Sequence, residues 1–194
     1  REDGGTPAFL QTIKTALAIQ LKNKMGVSNI LDREHELHEI IWTKLSSLEN
    51  VHVLADNFPE RLGVYSFYID NLHFNLAVQL LNDKYGIQVR GGCSCAGTYG
   101  HILLNVQADQ SCDITTKINE GNLTSKPGWV RMSIHPTMTD DEMHYIMNAI
   151  EDIAKNHKEL GKDYKYNEAS NEFRYKEDVY AQKNKARAKS WFKL

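Results

Sequence analysis

Residues 129–134, Trp129-Val130-Arg131-Met132-Ser133-Ile134, alternate apolar and polar side chains with a period of two after the indole. Successive side chains of an extended strand point to opposite faces, so Val130, Met132 and Ile134 share one face and Arg131 and Ser133 the other. The stretch predicts a half-buried strand, of the kind that builds antiparallel sheets covered on one side. Directly after it, Thr139 and Glu142 form a capping box. Met143, Ile146, Met147, Ile150 and Ile153 then recur at helical spacing, predicting a helix that lays this stripe on the sheet and ends near residue 160. Upstream, Ile87-Gln88-Val89-Arg90 repeats the alternation and sets Arg90 opposite Ile87 and Val89. If both strands belong to one sheet, two guanidinium groups stand on its non-helical face, where a planar fork suits bidentate binding of a carboxylate. The alternative is two solvated strand arginines.

Further out, Leu37, Ile41, Leu45 and Leu48 mark a helix. Val51 to Leu54 and Gly63 to Ile69 are β-branched and aromatic and read as strands, and Leu76, Leu80 and Leu81 precede Gly86, a C-cap for another helix. Ile87 to Arg90 is a short strand, residues 91–100 a Gly/Cys/Ser loop, and a helix is expected around Cys112 to Ile118. At the start, Thr6 is a good N-cap and Pro7 suits the first helical position of a helix carrying Leu10, Ile13, Leu17 and Leu21 and stopped by Gly26. Beyond residue 160, Tyr164-Lys165-Tyr166 and Glu172-Phe173-Arg174-Tyr175 suggest a β-hairpin, and residues 181–194 read as a solvated, partly disordered basic end. The fold class expected is α+β, a small and mainly antiparallel sheet with helices packed on one face.

Composition narrows the function. The 194 residues, 41% hydrophobic and 25% charged, suffice for one core. No run of about 18 apolar residues exists, so no membrane span is expected. Arg1-Glu2-Asp3 is neither a methionine nor a leader, and the chain reads as a cut piece. A net charge of -2 leaves no nucleic-acid footprint, although residues 161–194 hold 9 Lys/Arg against 5 Asp/Glu. Three cysteines are too few for a disulfide framework and point to a reducing compartment such as the cytoplasm.

Cys93-Ser94-Cys95 lies among Gly91, Gly92, Gly97 and Gly100. Glycines allow a tight fold that leaves a thiol exposed as a nucleophile, with Arg90 able to favour the thiolate; alternatively, both cysteines pack as small hydrophobes under a turn. A metal site is not expected, because one Cys-x-Cys pair has no second cluster and His35 and His38 fall on a helix face that looks solvated. At Gly4-Gly5-Thr6-Pro7, free backbone N–H groups, a helix dipole and a hydroxyl converge, so the point could hold a phosphate, or Thr6 could simply cap its own helix.

In this order, the segments REDGGTPAFLQTIKTALAIQLKNKMG, YGIQVRGGCSCAGTYGHILL and KPGWVRMSIHPTMTDDE resemble the C-terminal half of class V aminotransferase-like, pyridoxal-phosphate-dependent enzymes, the group with cysteine desulfurases and selenocysteine lyases. The resemblance covers about residues 1–158 and implies the small domain of fold type I. Residues 1–27 would be the entry segment from a large domain, 28–160 the small domain and 161–194 a hairpin and basic extension. It implies pyridoxal 5'-phosphate as cofactor, an amino acid as substrate, a homodimer in the full-length protein and a sulfur-acceptor protein. By position, Gly5 and Thr6 resemble the residues that reach the cofactor phosphate of the neighbouring subunit, Arg131 the arginine that grips the substrate α-carboxylate, and Arg90 a second arginine facing the substrate. Cys95 resembles the cysteine that attacks substrate sulfur or selenium, whereas several desulfurases have two histidines where Cys93 and Ser94 stand. The Schiff-base lysine of the family, in a Ser-x-His-Lys-like context, does not occur here, so the chain alone is expected to be inactive. The competing readings are an aminotransferase or another lyase with incidental cysteines and, from a different class, a redox or metal-binding module built on Cys-x-Cys and the basic tail.

Overall fold

The computed structural model describes residues 4–93, 97–176 and 179–191. Helix α1 (Phe9–Met25) and helix α2 (Val27–Ser46) are separated by Gly26, whose φ of 82° breaks the helical run. The α1 start differs from expectation: Ala8 occupies the N-cap with no side-chain bond, and Thr6 does not cap. The Phe9 N–H that a Thr6 hydroxyl would have accepted is taken by the Pro7 carbonyl in a tighter turn. Helix α1 buries none of its residues, whereas α2 turns Leu37, Ile41 and Leu45 fully inward.

The sheet comprises β1 (Val51–Val53), β2 (Val64–Ile69), β3 (Arg90–Gly92) and β4 (Trp129–Ser133) in the order β1-β2-β4-β3, antiparallel throughout. Tyr65, Phe67, Val130 and Met132 face a core completed by α2, by α3 (Phe74–Tyr85) and by α6 (Asp140–Leu160). The three helices cover one face, in keeping with the α+β class expected. The Thr139–Glu142 capping box forms in both directions, and α6 buries its predicted stripe. Gly86 takes the left-handed conformation at the end of α3 (φ 68°), its N–H bonding the Asn82 and Leu81 carbonyls. Among the described residues, no helix is long and apolar enough to cross a membrane.

Three local expectations are corrected. Strand β3 spans Arg90–Gly92 rather than Ile87–Arg90, because the Ile87 N–H turns back to the Leu81 carbonyl and leaves the ladder. Helix α4 (Gly97–Leu103) begins inside the stretch expected to be loop; α5 (Ala108–Asn119) follows and is tied to it by His101 Nδ1 and Ser111 Oγ, 2.8 Å apart. After the hairpin of β5 (Tyr164–Asn167) and β6 (Glu172–Tyr175), the basic end is helix α7 (Val179–Trp191). Its Ala, Gln, Lys and Arg content favours helix without a core, and Arg187 lies over the Trp191 ring one turn on, at 5.8 Å.

Candidate functional site

Arg90 and Arg131 are direct cross-strand partners in the β3–β4 ladder, and Ser66 of β2 stands opposite Arg131 on its other side. Directly opposed residues share a face, so these three form one row across the sheet. It is the face away from the core, since the neighbours Val130 and Met132 are buried under the helices. Arg90 is exposed, and Arg131 and Ser66 are half-buried.

Other arginines are already committed. Arg33 bridges Glu36 and Asp140, at 2.6 and 2.7 Å. Arg61 lies over Trp42 and donates to the carbonyls of Leu54, Ala55 and Phe58. Arg174 pairs with Glu172. Among the described residues, neither Arg90 nor Arg131 has a hydrogen-bonded or ion-paired partner. Two guanidinium groups directly opposed on a ladder repel, and their planar forks have the geometry to take a carboxylate.

Trp129 lies on the same face, two residues before Arg131, yet it is buried. Helix α4 covers it: a Cβ at Gly100 would sit 3.4 Å from the indole ring and 3.7 Å from the Cys93 Cβ. The indole Nε1 is buried without a hydrogen-bond partner among the described residues. The Cys93 thiol donates to the Pro127 carbonyl. Burial pushes this thiol up, with Lys126 opposing in part, so Cys93 is held protonated and is a poor nucleophile. It behaves as the packed-cysteine reading expects. Cys95 lies outside the described residues.

Gly5 and Thr6 are exposed on the lead into α1. The first turn of α1 has neither a side-chain cap nor an acidic residue. Unfilled N–H groups beside a glycine and a hydroxyl fit a phosphate. His38, expected on a solvated face, is instead drawn onto Tyr65 and stacked between it and Trp42. Sequence reading missed Ser66, Trp129 and the helix over the arginine face. Ser66 was within reach, since it occupies the polar phase of Val64-Tyr65-Ser66-Phe67.

Comparison with known proteins gives concordant matches. Residues 1–146 match the sequence model of the aminotransferase class-V family. A probable cysteine desulfurase of Halobacterium salinarum is 31% identical over 106 residues, 55% of this chain and 25% of that protein. A probable cysteine desulfurase of Halalkalibacterium halodurans is 34% identical over 94 residues, 48% of this chain and 22% of that protein. The chain thus spans about a quarter of the length of the curated relatives it matches. Among solved structures, the apo cysteine desulfurase of Thermococcus onnurineus superimposes with a TM-score of 0.57 at 24% identity, covering 79% of this chain and 33% of that one. A cysteine desulfurase of Escherichia coli gives 0.53 at 17% identity, covering 79% and 32%.

Proposed function

Because this chain belongs to the aminotransferase class-V family, we propose that it is the substrate-gripping region of a pyridoxal-phosphate-dependent enzyme that removes sulfur from an amino acid, cysteine desulfurase-like in its chemistry. The observation that carries the reading is the facing pair Arg90 and Arg131, unpartnered among the described residues on the face of the sheet away from the core. In this reading Arg131 takes the substrate α-carboxylate as a fork and Arg90 adds a second positive group beside it, fixing which way the amino acid lies.

Pyridoxal phosphate, when bound, supplies the electron sink that makes the substrate's Cα proton removable. The uncapped first turn of α1, with Gly5 and Thr6, would hold its phosphate from across a homodimer interface. The Cys95 thiolate attacks the substrate sulfur; the S–S bond forms as the C–S bond breaks, and that bond's electrons return to the substrate carbon. A persulfide remains on Cys95 for an acceptor protein. Cys93 takes no part in this transfer, because its thiol is held protonated against the Pro127 carbonyl. We further propose a cytoplasmic protein divided at about residues 27 and 160, whose Schiff-base lysine belongs to the full-length enzyme, so that the 194-residue chain alone does not turn over.

The test uses the full-length protein. Cys95→Ala should abolish sulfide release from L-cysteine with the cofactor absorption unchanged, and Arg131→Ala should raise KM by about tenfold or more. Sulfide release that survives Cys95→Ala removes the nucleophile, and keto acid formed without sulfide turns the reading into an aminotransferase.

A further inference from the structure

The hairpin of β5 and β6 lies beyond the stretch matched by the family, and the proposed chemistry does not use it. It nevertheless grips helix α3 at both ends. The Tyr164 hydroxyl donates to Asp83 near the C-terminus of α3, at 3.0 Å. At the other end, Asn75 Nδ2 donates to the Asn171 carbonyl, and the Tyr166 hydroxyl donates to Asn171 Oδ1 at 2.9 Å. Asn171 is buried, with φ at 54°, a conformation asparagine tolerates better than most residues.

Between these bonds lies an aromatic cluster. His73 is 5.5 Å from Tyr166 and 5.3 Å from Phe173, centroid to centroid, and 4.5 Å from Phe74. Burial pushes the His73 imidazole down, so it packs as a neutral ring, and its Nδ1 accepts the Asn75 N–H to cap α3. His73 is therefore fixed from the hairpin side, and Phe74 follows it directly in the chain.

Phe74 presses against the underside of the two strands that carry the arginines. A Cβ at Gly128 would lie 2.6 Å from its ring, and a Cβ at Gly91 would lie 3.0 Å away. A side chain at Gly128 would force the ring to move, and one at Gly91 would require it to give by a few tenths of an ångström. Gly91 follows Arg90 and pairs with Val130, which precedes Arg131. A tilt of Phe74 would therefore shift both strands and change the separation of the two guanidinium groups.

We propose that the C-terminal hairpin is a positioning element for substrate recognition: Tyr166 and Phe173 clamp His73, His73 stacks on Phe74, and Phe74 sets the spacing of Arg90 and Arg131. This rests on the reading of those arginines as the carboxylate grip. In the full-length holoenzyme, Phe173→Ala should raise KM for L-cysteine about tenfold with kcat and the cofactor band unchanged, since a misplacement of about 1 Å can cost up to 10²-fold. Phe173→Tyr, which keeps the ring, should stay close to wild type. Should Phe173→Ala fail to fold, His73→Asn takes its place with the same expectation, because it keeps a side-chain acceptor for the α3 cap and loses the ring. An unchanged KM with only a lowered melting temperature overturns the proposal. An unchanged KM in Arg131→Ala instead overturns the carboxylate grip, so the two failures are distinguishable.

Discussion

His38 Nδ1 and the Tyr65 hydroxyl lie 2.7 Å apart where α2 meets the sheet. Tyr65 is fully buried, and burial pushes its phenol up to about 12, so the hydroxyl is the donor and His38 accepts as a neutral ring. The His38 imidazole is lowered by burial first, then by Arg61 and His35, with Glu39 opposing. A histidine lowered in the folded state contributes stability that is complete above its ordinary value of 6.5 and is lost as pH falls through the folded value. Thermal melts from pH 7 down to pH 5 should therefore show a falling midpoint whose slope is reduced in His38→Gln, which keeps an acceptor but does not titrate, with His73, also lowered by burial, carrying a remaining part. An identical slope in the variant would assign the acid sensitivity elsewhere.

Gly128→Ala tests the closeness of Phe74 to the sheet. The added methyl would meet the ring at 2.6 Å, so the variant should lose about 1–3 kcal/mol, the usual cost of overpacking a core. Combining it with Phe74→Leu should recover part of that loss, because the two changes share one space. Urea unfolding of both variants and of the pair reads this directly, and strict additivity would mean the loss does not come from the ring.

The cysteines should differ in reactivity. Cys112 is exposed on α5, whereas Cys93 is half-buried, hydrogen-bonded and raised by burial. Site-resolved alkylation at neutral pH should label Cys112 well before Cys93. Equal rates would show that Cys93 is not held as the packing implies.

Much of the architecture was legible because patterning and local chemistry agreed. The period of two in Trp129–Ile134, the capping box at Thr139 and Glu142 and the glycine after Tyr85 each determine their element locally. The arginine row was half legible. Alternation assigns Arg90 and Arg131 to polar faces, but their direct opposition depends on register, a long-range pairing between strands about 40 residues apart that local periodicity does not encode. The errors share this origin. Ile87 leaves the ladder for a bond to Leu81, Thr6 loses its cap to a turn at Pro7, and His38 leaves solvent for Tyr65. In each case a partner that local periodicity does not encode wins. At the basic end the solvent exposure over residues 183–191 is as read, and what went unread is the helix over Val179–Trp191, which its Ala, Gln, Lys and Arg content favours.

A β ladder that holds two guanidinium groups side by side carries a standing repulsion for as long as nothing negative arrives. By mass action, a solute bound only by the folded chain adds RT ln(1 + [L]/Kd), about 2.7 kcal/mol at a hundredfold excess over Kd. In the reading proposed above, an anion seated between Arg90 and Arg131 would relieve that repulsion and delay melting.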